Sequence, residues 1–495
     1  MLDSILKQLT YNPDEPLIFS SGLFLFLFLG FTLLYMLLNK QRTLRLLFVT
    51  AFSYYFYYKS SGVYFVLLAI VTVSDYALAH GIWRCRQRNP DNKLMPKLLV
   101  VLSLIIDLGM LGYFKYTNFF GGMVAAMFGN NFQPCDIFLP VGISFFTFQS
   151  LSYTIDVYRG QLKPLPALLD YAFYVSFFPQ LVAGPIVRAR DFAPQIRHPL
   201  TVTKDMFARG VFFIMIGLFK KAVISDYISL NFVDRIFDNP GLYSGVENLL
   251  GVYSYALQIY CDFSGYSDMA IGIALLLGFH FPVNFHAPYV SSSITEFWHR
   301  WHISLSTWIR DYIYISFGGN RKGKVRTYIN LILAMLLGGL WHGASLNFIA
   351  WGGMHGVALA AHKCFRTEVL HHDRHYVSTG IRRLLGCIIT FHFVCFAWIF
   401  FRNGTFAASW VMIHQILTDF HPELFVQVVS GYKYVFMLIA FGFVTHFIPD
   451  RWQEWMIGVM RHCNVVVDAL LIAAVIYIVI QVKSSTIQPF IYFQF

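Results

Sequence analysis

Apolar runs of about 20 residues, separated by short polar breaks, recur along the whole chain. A helix of that length crosses the hydrocarbon core of a bilayer with its backbone groups hydrogen-bonded internally. The candidate spans lie near residues 17–38, 44–58, 62–82, 97–114, 137–155, 171–183, 209–225, 248–279, 324–340, 345–363, 384–401, 432–449 and 464–482. Because several are too short for a perpendicular crossing, the pattern predicts an all-α polytopic membrane protein with about eleven to thirteen crossings, some short, bent or re-entrant.

Composition agrees with this prediction. The chain is 57% hydrophobic and 13% charged, whereas soluble domains have about 25% charged residues. No stretch is long and polar enough for a separate soluble domain, so we predict one integral-membrane domain over residues 1–495, ending in a final helix and aromatic tail at 464–495. The run Leu17–Leu38 is too long for a signal-peptide core and no cleavage site follows it, so we expect it to remain as a transmembrane helix.

The net charge of +11 comes from short basic loops between the spans. The basic residues of these loops are Lys40, Arg42, Arg45, Arg84, Arg86, Arg88, Lys93, Lys97, Arg321, Lys322, Lys324, Arg326, Lys363, Arg366, Arg374, Arg382 and Arg383. Lys and Arg are enriched in cytoplasmic loops, and the alternation of these loops predicts that both termini are extracytoplasmic. This placement indicates contact with membrane lipids and argues against nucleic-acid binding.

The apolar stretch 336–353 contains one histidine, His342, with no acidic or basic neighbour. A polar ring at membrane depth is costly unless it is paired or faces a water-filled cavity, so it indicates a functional site. Trp341 and Asn347 add polar groups nearby. A near-neutral pKa suits histidine to act as a general base toward a hydroxyl. The alternative is a histidine that joins two helices by a hydrogen bond.

The second unusual stretch is 296–319, which is amphipathic and rich in Trp and Arg. As one helix it would place His299 and His302 on the same face. Glu296 could extend that face toward a metal site, but the HExxH pattern is absent and no cysteine is near, so we predict no metal. The alternative is an interfacial helix with its Trp rings at headgroup depth. The seven cysteines form no CxxC pair, and we predict no disulfide framework.

Two acidic residues, Asp262 and Asp268, lie in an otherwise apolar span. Each should have a partner or face water, and we expect pairing with an Arg of 296–321. Catalysis by paired carboxylates would need an acid and a base at one site, which the sequence does not fix. The Pro- and Arg-bearing segment 184–206 is predicted to be a surface loop. No GxSxG, Walker A or GxGxxG pattern occurs, so the sequence does not support a serine hydrolase or nucleotide binding.

Five segments together resemble one family. They are LPVGISFFTFQSLSYTIDVYRG (139–160), FFPQLVAGPIVR (177–188), YCDFSGYSDMAIG (260–272), FWHRWHISLSTWIRDYIYISFGGNRKG (297–323) and LWHGASLNFIAWGGMHG (340–356). In this order they resemble the membrane-bound O-acyltransferase (MBOAT) family, and within it the bacterial branch of alginate and peptidoglycan O-acetylation and teichoic-acid D-alanyl transfer. The resemblance implies a ring of helices around a thin core. It also assigns the family's two histidines to His342 and His302, and none to His299.

The resemblance implies a bacterial inner-membrane enzyme that passes an acyl group, most simply acetyl, outward for O-acetylation of a polysaccharide or peptidoglycan. The donor would be acetyl-CoA or an acyl-carrier thioester, with no bound cofactor, and a periplasmic or membrane-anchored acetyltransferase would be the partner. His342 would be the base, with His302, Trp341, Asn347 and Asp262 at the site. Tyr492, in the tail PFIYFQF, is a candidate acyl shuttle by similarity, or part of an aromatic interfacial belt. The alternatives are D-alanyl transfer and a transporter or flippase without covalent chemistry.

Overall fold

A computed structural model describes residues 7–13, 15–38, 40–197, 201–371 and 378–482, and this part of the chain contains helices and no strand. In chain order, α1 to α23 are Gly22–Leu37, Arg42–Ser61, Phe65–Arg88, Leu94–Leu111, Thr117–Met127, Ile143–Arg159, Leu168–Ser176, Phe178–Leu181, Ala189–Arg197, Lys204–Leu218, Asp226–Ile228, Asp234–Asp238, Gly245–Leu276, Ile294–Arg300, Ile303–Trp308, Lys324–His342, Leu346–Cys364, Gly380–Arg402, Phe406–Thr418, Phe425–Gly431, Lys433–His446, Asp450–His462 and Val465–Val482. The all-α prediction is confirmed for these residues. The tail with Tyr492 lies outside them.

Helices follow the apolar runs closely. α16 covers the run predicted at 324–340, and α17 covers the run at 345–363. In the described part, three helical stretches are long and apolar enough to cross a membrane, Arg42–Arg88, Leu94–Met127 and Gly380–Arg402. A fourth is possible if the pair Pro422–Gly431 and Lys433–His446, bent by 94°, counts as one span. The predicted number of crossings stays a prediction.

The chain forms two compact units. The first takes in the described residues up to Ile214 together with Tyr266–Pro282. The second takes in Met215–Gly265 and the described residues from Val283 onward. The prediction of a single membrane domain over the whole chain stays a prediction. All the candidate site residues that the structure describes belong to the second unit.

The first unit buries two carboxyl groups among apolar helices. Asp75 on α3 and Asp107 on α4 are both 0% exposed. Asp75 accepts a hydrogen bond from the Ser103 hydroxyl, and Asp107 accepts one from the Ser150 hydroxyl on α6, each at 2.8 Å. Buried polar groups are costly unless hydrogen-bonded, so these contacts hold α3, α4 and α6 in one arrangement.

In the second unit α16 and α17 form a hairpin whose backbones touch. A Cβ added to Gly339 would lie 2.2 Å from the carbonyl oxygen of Phe348, and one added to Gly352 would lie 2.4 Å from that of Met335. No side chain fits at such distances, so glycine is required at both positions. The hairpin places the end of α16, where His342 lies, directly against α17.

The prediction of a surface loop over 184–206 is wrong in part. Residues 189–197 form α9, whose Phe192 and Ile196 are buried. These two side chains are four residues apart, which places them on one helical face. The Pro and Arg residues of this segment favoured a loop in the sequence prediction, but Arg190, Pro194 and Arg197 lie on the exposed face of a short amphipathic helix.

Candidate functional site

The segment that leads to His302 begins as a capped helix. The Ser293 hydroxyl accepts the backbone N–H of Glu296 at 3.2 Å at the start of α14. The Glu296 carboxylate accepts the backbone N–H and the hydroxyl of Ser292 at 2.9 and 2.8 Å, and it pairs with Arg300 at 3.0 Å. This arrangement is a capping box displaced by one residue. The role that the structure shows for Glu296 is therefore to stabilise the start of α14.

The chain turns sharply at His302. α14 ends at Arg300, and His302 has φ 43° and ψ 55°, the left-handed region that few residues other than glycine occupy. The prediction of one continuous helix with His299 and His302 on the same face is therefore wrong. The His302 ring is 0% exposed, whereas His299 lines a cavity. A strained backbone that carries a buried histidine is a feature of functional sites.

Asn284 fixes the protonation pattern of His302. The amide Oδ1 of Asn284 accepts the backbone N–H of Ser304 at 3.2 Å and its hydroxyl at 2.8 Å. Because a backbone N–H can only donate, the atom that faces it must be the amide oxygen. The His302 Nδ1, 3.2 Å from the same oxygen, therefore carries the proton. The neutral ring then presents its lone pair at Nε2.

Aromatic rings enclose His302. Phe263 on α13 meets it edge-on with ring centroids 4.6 Å apart, and Phe285 lies at 6.3 Å. For Asp262, the residue before Phe263, the structure shows a lysine partner where an Arg of 296–321 was expected. Its carboxylate lies 2.6 Å from the Lys221 ammonium, which also pairs with Asp226 at 2.7 Å. The expected partner was wrong because Lys221, distant in sequence, reaches this turn of α13.

His342 is the last residue of α16 and is 3% exposed. Its ring lies among three aromatic side chains, with centroid distances of 4.9 Å to Trp341, 5.1 Å to Trp351 and 5.2 Å to Phe401. Trp351 comes from α17 and Phe401 from α18, so three helices enclose the imidazole. These rings shield the imidazole from solvent.

Trp341 joins the two predicted histidines. Its ring centroid lies 6.0 Å from that of His302 and 4.9 Å from that of His342. We call these three residues the Trp341 cluster. The structure therefore brings His302 and His342 next to one indole ring, and their joint role in catalysis stays a prediction.

Asn347, which the sequence also placed at the site, forms hydrogen bonds that connect helices. Its side-chain N–H donates to the backbone carbonyl of Asn403 at 2.7 Å, and the Ser409 hydroxyl lies at 3.4 Å. Asn347 is 1% exposed at the start of α17. It ties α17 to the link between α18 and α19, and so supports the hairpin that carries His342.

A cavity of about 500 Å³ lies in this unit, lined by Trp298, His299, Ile303, Arg310 and Arg366 among others. We call it the His299 cavity. Burial, with the Arg310 guanidinium, lowers the pKa of His299 below its usual range. His299 also lines a neighbouring cavity of about 900 Å³. The walls are mainly apolar, with cations at intervals, which suits a ligand with an apolar arm and an anionic group.

Sequence reasoning missed two residues of this region. Asn284 lies in an irregular stretch after α13, and no pattern links it to His302 eighteen residues later. His355 lies within α17 and is 0% exposed. The reasoning applied to His342, that a histidine in an apolar helix indicates function, would have found His355 as well.

Comparison with known proteins gives the family of this chain. Residues 161–402 match the membrane-bound O-acyltransferase family, MBOAT. The probable alginate O-acetylase AlgI of Pseudomonas aeruginosa is 42% identical over 408 residues, which cover 81% of this chain and 75% of that protein. The peptidoglycan O-acetyltransferase of Helicobacter pylori is 38% identical, covering 78% and 77%. The teichoic acid D-alanyltransferase of Bacillus subtilis is 31% identical, covering 54% and 69%.

The family assignment fits the buried histidines and the helical, apolar architecture. It also overturns the alternative of a transporter or flippase without covalent chemistry, because similarity to named acyltransferases extends over most of the chain. The chain belongs to the membrane-bound O-acyltransferase family.

Proposed function

We propose that this acyltransferase takes an acetyl group from a cytoplasmic thioester and passes it across a bacterial inner membrane, for O-acetylation of an extracytoplasmic polysaccharide or peptidoglycan. The observation that carries the proposal is the His299 cavity, which shares the second unit with the Trp341 cluster. Lys363, near the end of α17, and Arg366 line it. Both belong to the basic segment 363–383 that the distribution of Lys and Arg predicts to be cytoplasmic. This supports entry of the donor from that side.

The lining favours a pantetheine thioester, carried by CoA or by an acyl-carrier protein. An apolar arm fits against Trp298, Ile303 and Met335, while phosphate oxygens would meet Arg310 and Arg366. The donor is a substrate, and the mechanism requires no bound cofactor.

His342 acts as the general base. It takes the proton of the accepting hydroxyl, whose oxygen forms a bond to the thioester carbonyl carbon. The C–S bond breaks, and the leaving thiolate receives the proton from the imidazolium. A base of this kind contributes about 10²–10⁴-fold. His302 accepts a hydrogen bond at Nε2 and so orients the reacting hydroxyl. Trp341 keeps the two rings apart at a fixed spacing.

Acetyl is favoured over D-alanyl because the relatives named for O-acetylation match far more of the chain than the D-alanyltransferases do. Completion of transfer falls to a separate periplasmic or membrane-anchored acetyltransferase. Both termini would then be periplasmic, as the basic loops predict.

The purified protein tests this proposal directly. In detergent with acetyl-CoA or acetylated carrier protein, it should consume the thioester. When the partner acetyltransferase and an oligosaccharide acceptor are added, consumption should be faster and the product should be an O-acetyl ester of the acceptor. The matched control is the His342→Ala variant at equal protein concentration. Absence of thioester consumption by the wild type with every donor and acceptor would contradict the proposed function.

Substitutions at His302 should reduce activity less than loss of His342. His302→Gly suits the left-handed backbone, and His302→Asn keeps a donor toward Asn284 but lacks Nε2. We expect both to lower kcat about 5- to 10-fold, the effect of roughly 1 kcal/mol from a buried hydrogen bond. Asn284→Ala should lower kcat by a similar factor. The double variant Asn284→Ala/His302→Gly should have the same kcat as His302→Gly alone. If His302→Gly were inactive and His342→Ala mildly affected, the two roles would be exchanged.

Tyr492 is proposed as an acyl shuttle between this site and the partner. A phenol, with a pKa of about 10, ionises more readily than a sugar hydroxyl, so its oxygen can attack the thioester carbon and release the thiol. Tyr492→Phe should block polymer acetylation at unchanged protein abundance, and O-acetyl-tyrosine should accumulate in the wild type when the partner is missing, as detected by mass spectrometry. Tyr477→Phe, in α23, is the matched control. Full activity of Tyr492→Phe would leave the tail as an aromatic interfacial belt.

A further inference from the structure

His355 has a defined hydrogen-bonding partner inside the apolar helix α17. The indole Nε1 of Trp298 lies 3.3 Å from its Nδ1, and the two ring centroids are 5.2 Å apart. Because an indole N–H can only donate, Nδ1 of His355 must accept. The neutral His355 ring then carries its proton at Nε2.

Trp298 has neighbours on two sides. It lines the His299 cavity, and its ring centroid lies 5.7 Å from that of Trp351. Trp351 in turn lies 5.1 Å from His342. A single aromatic side chain therefore separates the wall of the cavity from the proposed base.

His355 cannot move away from this wall without losing its packing. It lies one helical turn from Trp351 on α17, with ring centroids 4.8 Å apart, and Phe393 of α18 closes its other side at 5.4 Å. Trp298 is 7% exposed. An indole N–H left without an acceptor at this depth would be costly, so the hydrogen bond determines which way the indole is turned.

We propose that His355 is a positioning residue of the acyl transfer: through its hydrogen bond to Trp298 it fixes the cavity wall that sets how the thioester donor lies relative to His342. This inference rests on the proposed function. It predicts that the contact affects the apparent affinity for the donor more than the chemical step, because neither side chain exchanges a proton with the substrate.

Two substitutions at His355 distinguish the roles of its two ring nitrogens, Nδ1 and Nε2. In His355→Asn the amide oxygen takes nearly the place of Nδ1 and can still accept from Trp298. In His355→Gln the amide takes nearly the place of Nε2 and the acceptor for Trp298 is lost. We expect His355→Gln and Trp298→Phe each to raise KM for acetyl-CoA about 5- to 10-fold with kcat within about twofold, consistent with one buried hydrogen bond. His355→Asn should keep KM near the wild-type value.

The double variant Trp298→Phe/His355→Gln completes a cycle, and its KM should equal that of either single variant. Kd for a thioether analogue of acetyl-CoA, which binds but cannot transfer, should follow the same pattern. A wild-type KM for His355→Gln would overturn the proposal, and so would a raised KM for His355→Asn beside a wild-type KM for His355→Gln. Effects on KM that multiply in the double variant would overturn it as well. So would loss of folded protein without a change in KM or Kd. If the wild-type protein binds the analogue but transfers no acetyl group, the proposed function is overturned, and the Kd values of the four proteins still decide the role of His355. If the wild-type protein neither binds the analogue nor transfers acetyl, the proposed function and the role of His355 are both overturned.

Discussion

His342→Ala is expected to abolish acetyl transfer while the protein remains folded in the membrane. The substitution removes the proposed base, which corresponds to a loss of about 10²–10⁴-fold in rate. It removes little apolar surface, and Trp341, Trp351 and Phe401 still pack around the vacated position. The measurement is O-acetyl ester formed per folded protein, with the amount of folded protein taken from size-exclusion chromatography.

Two further variants separate chemistry from packing. His342→Gln keeps a polar side chain of similar reach but supplies no base near neutral pH, so it should be as inactive as His342→Ala. His392→Ala removes an exposed histidine from α18 and should keep full activity. Wild-type acetylation by His342→Ala at normal abundance would rule out His342 as the base.

Lys221→Met is expected to destabilise the folded protein more than any substitution at the two site histidines. The Lys221 side chain is 3% exposed and pairs with Asp226 at 2.7 Å and Asp262 at 2.6 Å. Removing one partner of a buried ion pair costs about 3–5 kcal/mol, because the remaining charge is left in a low-dielectric interior. We expect a lower thermal unfolding temperature in detergent and a reduced yield of folded protein.

Lys433→Met provides the matched control. It removes the same charge from an exposed lysine, whose ammonium lies 5.0 Å from the centre of the Tyr434 ring, and such a contact contributes only about 0.5–1 kcal/mol when exposed. Adding Asp262→Leu to Lys221→Met should restore part of the lost stability, since apolar pairs can replace buried ion pairs. Equal unfolding temperatures for Lys221→Met and Lys433→Met would contradict the assigned role of the ion pair.

The positions of the long helices could be predicted from sequence because the signal is local. A run of apolar residues is by itself enough to predict a buried helix, so α16, α17 and α18 lie where hydropathy places them. The same logic identified His342, since a histidine inside such a run is conspicuous by itself.

The arrangement around His302 could not be predicted in this way. No glycine or proline marks the turn after Trp301, so the pattern of 296–319 favoured a continuous helix. The contacts that stabilise the turn come from Asn284 and Phe263, which lie in other segments. Lys221 and Asp262 likewise meet only in the folded chain, and hydropathy carries no information about such pairs.

The glycine contact between α16 and α17 also limits how His342 can move. With Gly339 and Gly352 leaving no room for even one carbon atom, neither helix can slide along the other without overlap, and the hairpin must shift as a rigid body. Interiors packed this closely transmit displacement rather than absorb it. Access to the proposed base therefore depends on movement of the segments around the hairpin. If product release limits turnover, as in many enzymes, those segments set the rate of release, and the helix that carries His342 does not.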